Sequence, residues 1–221
     1  MEINNKRKHM DEYNYNYNDE YFATPVKKQK VLVDDNLIYS IGKEIHFTAG
    51  VDKFTIEKLI KLITKIVHDH ETKHKNDKKK MNITIVVDSP GGSVHSVLKF
   101  VDFIKLVKNK YPHITFTSIA TGFVASAGTI MCVVADKRLI TPHAHAMIHE
   151  LSSGNTGKYT HMMSYSKHLT DLHNVLLDIY MKVSKVPRNE MEVLLNTESW
   201  YSAEEYKKLG LVDDIATDIK I

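Results

Sequence analysis

Three short stretches hold most of the reactive chemistry in this chain. Gly122-Phe123-Val124-Ala125-Ser126-Ala127-Gly128 sets a serine just ahead of an apolar run, and Asp88-Ser89-Pro90-Gly91-Gly92-Ser93-Val94 supplies a glycine pair. Met147-Ile148-His149 ends an apolar segment with an imidazole. A hydroxyl nucleophile, a base that takes its proton, and backbone N–H groups facing a developing oxyanion are the parts of a serine hydrolase.

Each part also has a plain structural meaning. Ser126 can be a helix cap, as serines often are, and Gly91-Gly92 after Pro90 can be only a tight turn. The chain has 13 histidines, and a lone histidine is more often structural than catalytic. Their order along the sequence favours the chemical reading. A serine between a strand and a buried helix can project its hydroxyl at the helix start, where N–H groups are free. A glycine pair at the end of one strand, opposite a serine at the end of the next, can aim the N–H groups of Gly92 and Ala127 at one carbonyl oxygen. His149, closing Ala144-His145-Ala146-Met147-Ile148, is then placed to act as general base. His143 and His145 alternate along that segment, and His68, His70 and His74 gather at a helix end. The first pair has no Cys or carboxylate cluster at ligand spacing and the second group reads as solvated, so no metal is expected, and no cofactor either.

These groups need a scaffold, and the chain is long enough to build one. Its 221 residues, 43% apolar, suit a single folded domain with a tail. Residues 1–30 are rich in Asn, Tyr, Lys and Asp, show almost no aliphatic periodicity, and are expected to be a disordered polar tail. The folded domain is expected over 31–221. With 30 basic and 27 acidic residues the charge is nearly balanced, and the lysine runs read as solvated loops, not a nucleic-acid surface. The single cysteine, Cys132, lies in an apolar stretch, and no disulfide framework is possible. No apolar run nears the roughly 18 residues of a membrane span, and the N-terminus lacks a signal-peptide core. A soluble cytoplasmic protein without membrane partners is expected.

Periodicity predicts strands at 37–41 and 44–47, a helix over 54–70, and an exposed loop over 71–80. A strand over 82–87, a helix over 93–108, a strand over 114–119, a glycine turn and a buried helix over 125–135 follow. Short strands are expected at 139–140 and 144–148, a long helix over 159–184, and shorter helices over 190–196 and 203–209. Alternating strands and helices predict an α/β fold with a largely parallel sheet, whose strand ends carry the reactive groups.

The ordered set Ser-Pro-Gly-Gly at 89–92, Gly-Phe-Val-Ala-Ser-Ala-Gly at 122–128, Met-Ile-His at 147–149, and Ser202 with Gly210-Leu211-Val212-Asp213 resembles the Clp protease proteolytic subunit (ClpP) family of the ClpP/crotonase superfamily. The resemblance runs from about Leu37 to Ile215. It implies stacked ββα units with a long handle helix, a heptameric ring or double ring enclosing the sites, and an unfoldase of the AAA+ class as partner. It implies Ser126 as nucleophile, His149 as base, and Gly92 and Ala127 as oxyanion hole. It also implies an extended polypeptide held by Gly91, Gly92, Ser93 and Val94 on one side and Glu150, Leu151 and Ser152 on the other. The sequence departs from the family at Thr197-Glu198, where an Arg-Asp pair is usual, and at Glu150, where Gln then Pro is common. Glu198 then stands in for the triad aspartate.

The leading expectation is a serine endopeptidase that degrades unfolded polypeptides through an acyl-enzyme. The departure at 197–198 keeps open a catalytically silent ring subunit that scaffolds active partners. A crotonase-type acyl-thioester enzyme would share the fold yet give the Ser126/His149 pair no purpose. A membrane-anchored signal peptide peptidase would need a Ser-Lys dyad and an anchor.

Overall fold

A computed structural model describes residues 37–75 and 77–217, so the tail expected over 1–30 and the domain start at 31 lie outside the described residues. The elements are β1 (Ile38–Ile41), β2 (Glu44–Phe47), α1 (Lys53–Lys73), β3 (Met81–Ser89), α2 (Val94–Lys110), β4 (Ile114–Ala125) and α3 (Ala127–Val133). They continue as β5 (Lys137–Ile140), β6 (His145–Ile148), α4 (Tyr159–Met181), α5 (Arg188–Leu195), β7 (Ser199–Ser202), α6 (Ala203–Lys208) and β8 (Asp214–Ile215).

Local sequence accounts for most of these. The alternation of β-branched residues through Ile83, Ile85 and Val87 gives β3 one fully buried face, while Asn82 on the other is exposed. α1 starts where Asp52 accepts from the Phe54 and Thr55 N–H groups while Thr55 reaches back to the Asp52 N–H, a reciprocal cap. Its residues Ile56, Leu59, Ile63 and Val67 recur at helical spacing and are buried on the sheet. Ser93 caps α2 with a single bond, its hydroxyl accepting from the Ser96 N–H.

The strands pair in the order β1-β2-β3-β4-β5-β8, with β6 branching from β4 and β7 pairing with β6. Pairing is parallel except at β1/β2 and β6/β7, as an α/β fold requires. Most buried apolar side chains form one cluster, with Phe47, Phe100, Phe116 and Tyr206 fully enclosed, and Val86, Ile119 and Ala216 form a smaller second one. Truncating Phe100 to alanine in such surroundings costs about 3–5 kcal/mol.

Three expectations need correction. The strand expected over 114–119 runs on to Ala125, because β4 changes partners midway. Thr117 to Ala120 pair with β5, whereas Phe123 to Ala125 pair with β6. The register against β3 slips between Val87/Ala120 and Ser89/Val124, and Gly122, at φ +54°, absorbs the kink beside the Asp88 carboxylate. The glycine therefore bends a strand and does not end it. The buried helix begins at Ala127, two residues later than expected. The edge strands β7 and β8 were not anticipated, because Trp200 and Tyr201 follow the polar run Asn196-Thr197-Glu198-Ser199 and β8 has only two residues.

Candidate active site

Ser126 occupies the single residue between β4 and α3 with φ +52° and ψ −125°, a region costly for a side chain bearing Cβ. The turn is held on both sides. The Ser126 N–H donates to the Met147 carbonyl (2.9 Å), and its own carbonyl accepts from the Thr129 N–H (3.0 Å) and Thr129 Oγ1 (2.6 Å). The Ser126 hydroxyl makes no capping bond to α3, so the plain capping role does not describe it. The backbone strain presents a half-buried hydroxyl outward from the strand end.

The glycine pair sits directly against this turn. A Cβ on Gly91 (φ +86°) would lie 2.5 Å from the Ala125 carbonyl oxygen and 2.7 Å from the Ser126 Cβ, and one on Gly92 (φ +142°) would lie 2.3 Å from the Val51 carbonyl oxygen. Only glycine permits both approaches. Val51 clamps the pair, donating its N–H to the Gly91 carbonyl and accepting from the Ser93 N–H, each at 2.7 Å. Ser89, fully buried, donates to the Ala49 carbonyl (2.7 Å) and accepts from the Gly91 N–H (3.2 Å). Among the described residues, no acceptor takes the N–H of Gly92 or Ala127. Two donors are thus left for an incoming oxygen.

His149 follows the last residue of β6 and lines the same cavity as Ser126, Gly92 and Ala127. Val94, Val97, Ile130, Leu176 and Leu195 give that cavity an apolar wall, and Glu150, Leu151 and Ser152 also line it. Gly91 packs behind the lining, and Ser93 lies outside it with its N–H taken by Val51 and its hydroxyl capping α2. Glu198 is exposed and also outside the lining. The β6/β7 register nevertheless pairs Met147 with Trp200 and Ile148 with Ser199. One step further along that register sets Glu198 across from His149, a spacing at which antiparallel neighbours share a face. Among the described residues, the Ser126 hydroxyl, the His149 ring and the Glu198 carboxylate make no hydrogen bond to one another. Catalytic hydrogen bonds are often long without substrate and tighten when it binds.

Sequence reasoning missed the support beneath the nucleophile. Thr129 Oγ1, besides holding the Ser126 carbonyl, lies 2.5 Å from the Tyr180 hydroxyl, and both groups are buried. Burial pushes the Tyr180 hydroxyl well above its ordinary range, so it stays protonated. The two residues are 51 positions apart, which no local pattern reveals. His173, on α4, also lines the cavity and was not singled out by spacing. Within α3, burial raises the Cys132 thiol to about 12, which leaves it an inert packing group.

The sequence model of the Clp protease family matches residues 45–218, a span that takes in the Ser126 turn, the glycine pair, His149 and Glu198. The chain belongs to the Clp protease family. Among curated relatives in that family, the ATP-dependent Clp protease proteolytic subunit 1 of Chlamydia caviae is 31% identical over 137 residues, covering 60% of this chain and 69% of the relative. The subunit of the same name from Chlamydia trachomatis serovar D is 32% identical over the same shares. The ATP-dependent Clp protease proteolytic subunit 3 of Rhizobium meliloti is 33% identical over 140 residues, covering 62% of this chain and 69% of its own. A peptidase-type function and the α/β fold both follow from membership of the Clp protease family.

Proposed function

We propose that this chain is a serine endopeptidase in which Ser126 attacks the scissile carbonyl and His149 receives its proton. The observation that carries the reading is the strained Ser126 turn, whose uncapped hydroxyl shares one cavity with His149 and two N–H groups that have no acceptor among the described residues. As the hydroxyl adds, the carbonyl oxygen gains negative charge and is received by the N–H groups of Gly92 and Ala127, an effect worth about 3–4 kcal/mol per donor. His149 then gives its proton to the leaving amine, leaving an ester on Ser126 Oγ. Water, deprotonated by His149, adds to that ester and releases the second product. Glu198 accepts the other imidazole N–H and stabilises the imidazolium.

The substrate we infer is an extended polypeptide. It would lie between Gly92–Val94 and His149–Ser152 as an added strand, with an apolar side chain against Val97, Ile130 and Leu195. We further propose ring assembly and coupling to a AAA+ ATPase. The relatives' ATP-dependent names and the apolar residues left exposed on α4, Tyr159, Met162 and Met163, support this.

A second reading is a silent ring subunit. It is favoured by the exposed Glu198 and by Thr197, whose hydroxyl is taken by the Val193 carbonyl at 3.1 Å. Labelling with a fluorophosphonate probe separates the two. The assembled wild type is expected to react at one site per chain and Ser126→Ala not at all, whereas an unreactive wild type would leave the scaffold role standing.

A further inference from the structure

His70, Glu71 and His113 form a cluster that the peptidase chemistry does not use. His70 and Glu71 lie in the last turn of α1 and His113 immediately precedes β4. β3 leaves this end at Met81 and reaches Ser89, beside the glycine pair, eight residues later, so the cluster and the Ser126 turn stand about 26 Å apart along the strand. Sequence spacing had grouped His68, His70 and His74, but His68 is exposed, and the fold brings in His113 from 42 residues beyond Glu71.

We propose that this cluster binds a divalent cation of the zinc class. The three side chains offer ligand atoms that all lie within 4.8 Å of one another. Two imidazoles and a carboxylate are a donor set suited to Zn²⁺, with the fourth position left to water. His70 is 7% exposed, and its Nε2 lies 2.7 Å from the Lys79 carbonyl oxygen, which only accepts. The proton must therefore reside on Nε2, and the lone pair on Nδ1. Among the described residues, nothing hydrogen-bonds Nδ1. A ring oriented by a backbone carbonyl with its other nitrogen free is the arrangement that outer-shell partners impose on metal-binding histidines.

His113 Nε2 and Glu71 Oε1 already meet at 2.6 Å. Tetrahedral ligands on Zn²⁺ at about 2.0–2.1 Å sit about 3.3 Å apart, so loading needs side-chain rotation and no backbone shift. His70 also lines a surface cavity with Asp69, His74 and Met81, and the His74 ring lies 4.8 Å from that of His70. Asp69 and Asp77 set negative charge against the neighbouring Lys73 and Lys79. The bound cation ties the end of α1 to the start of β4, where the Glu71–His113 bond already links them.

The test is titration of ZnCl₂ into the full chain after chelator treatment, followed by calorimetry and by Tm, with Co²⁺ absorption as a report of geometry. The wild type is expected to take up one equivalent with a rise in Tm and to give the intense visible bands of tetrahedral Co²⁺. Glu71→Gln, which keeps the hydrogen bond to His113, and His113→Asn should each weaken binding on the order of 100-fold while matching the wild-type Tm in chelator. Ser126→Ala should bind zinc as the wild type does, so a failed hydrolase reading leaves this test intact. Absence of saturable binding overturns the proposal, as does binding unchanged in the Glu71→Gln/His113→Asn double variant.

Discussion

At the scale of single residues, the site divides into groups whose role follows from near neighbours and one whose role follows from a strand register. Ser126 and the pair Gly91-Gly92 belong to the first kind. Their chemistry depends on strain and close approach within a few residues, and the sequence displays both as glycines around a serine at a strand end. The place of His149 in the same cavity follows for a similar reason, since it is the polar residue just after the apolar strand β6. Glu198 is of the second kind, since its proposed role rests on continuing the β6/β7 register one step beyond Ile148 and Ser199. Under the proposed mechanism, this exposed carboxylate would have to reach the ring through its one extra methylene. If it fixes the imidazole tautomer, Glu198→Gln is expected to lower kcat by about 10⁴, as loss of a triad aspartate does, with little change in KM. Steady-state kinetics on an unstructured polypeptide would check this, and unchanged kcat would remove Glu198 from the mechanism.

At the scale of elements, the nucleophile turn is held by α3, and α3 by α4. Thr129 carries both links, donating to the Ser126 carbonyl and meeting the Tyr180 hydroxyl. Thr129→Val keeps the volume but leaves the Tyr180 hydroxyl buried without a partner, which costs about 1–3 kcal/mol. It also leaves the Ser126 carbonyl held by the residue-129 backbone N–H alone, and a small misplacement at the reacting atoms should lower kcat about tenfold or more. Tyr180→Phe removes only the outer link, so its loss in both stability and kcat should be smaller. Thermal unfolding beside kcat for the two variants tests that order, and equal effects would refute it. The helices were legible because their apolar spacing is long and regular, as in α1 with Ile56, Leu59, Ile63 and Val67. The length of β4 was not, because exchanging one partner strand for another at a kinked glycine is a tertiary event that reads locally as a turn. β8 escaped notice because two residues hold no periodicity.

At the scale of the whole molecule, the C-terminal segment must be fastened to the sheet that carries the site, and one ion pair does much of this. Asp213 receives the Arg138 backbone N–H (2.8 Å) and Nε (3.2 Å), with Nη2 on its second oxygen, while its own N–H returns to the Arg138 carbonyl (2.8 Å). Arg138 Nη1 also reaches the Gly210 carbonyl at 3.0 Å, so the guanidinium spans from β5 to the end of α6. For the Asp213 carboxyl, partial burial acts to raise the pKa, but the hydrogen bonds and charge of Arg138 outweigh it and hold the group below the ordinary aspartate range. The carboxylate is 38% exposed, and solvent screening limits the pair, so Asp213→Asn is expected to cost only about 1–2 kcal/mol at neutral pH. The sign follows from linkage. A depressed folded pKa means that the unfolded chain takes up the proton first, so the stabilisation is complete above the unfolded value of about 3.9 and is lost as pH falls through the folded one. Urea unfolding of wild type and Asp213→Asn from pH 7 downward should therefore show a constant gap to about pH 4 that narrows below it. A gap that widened on acidification would mean that Asp213 is held protonated in the fold, and the clasp between β5 and the C-terminal segment would then need another origin.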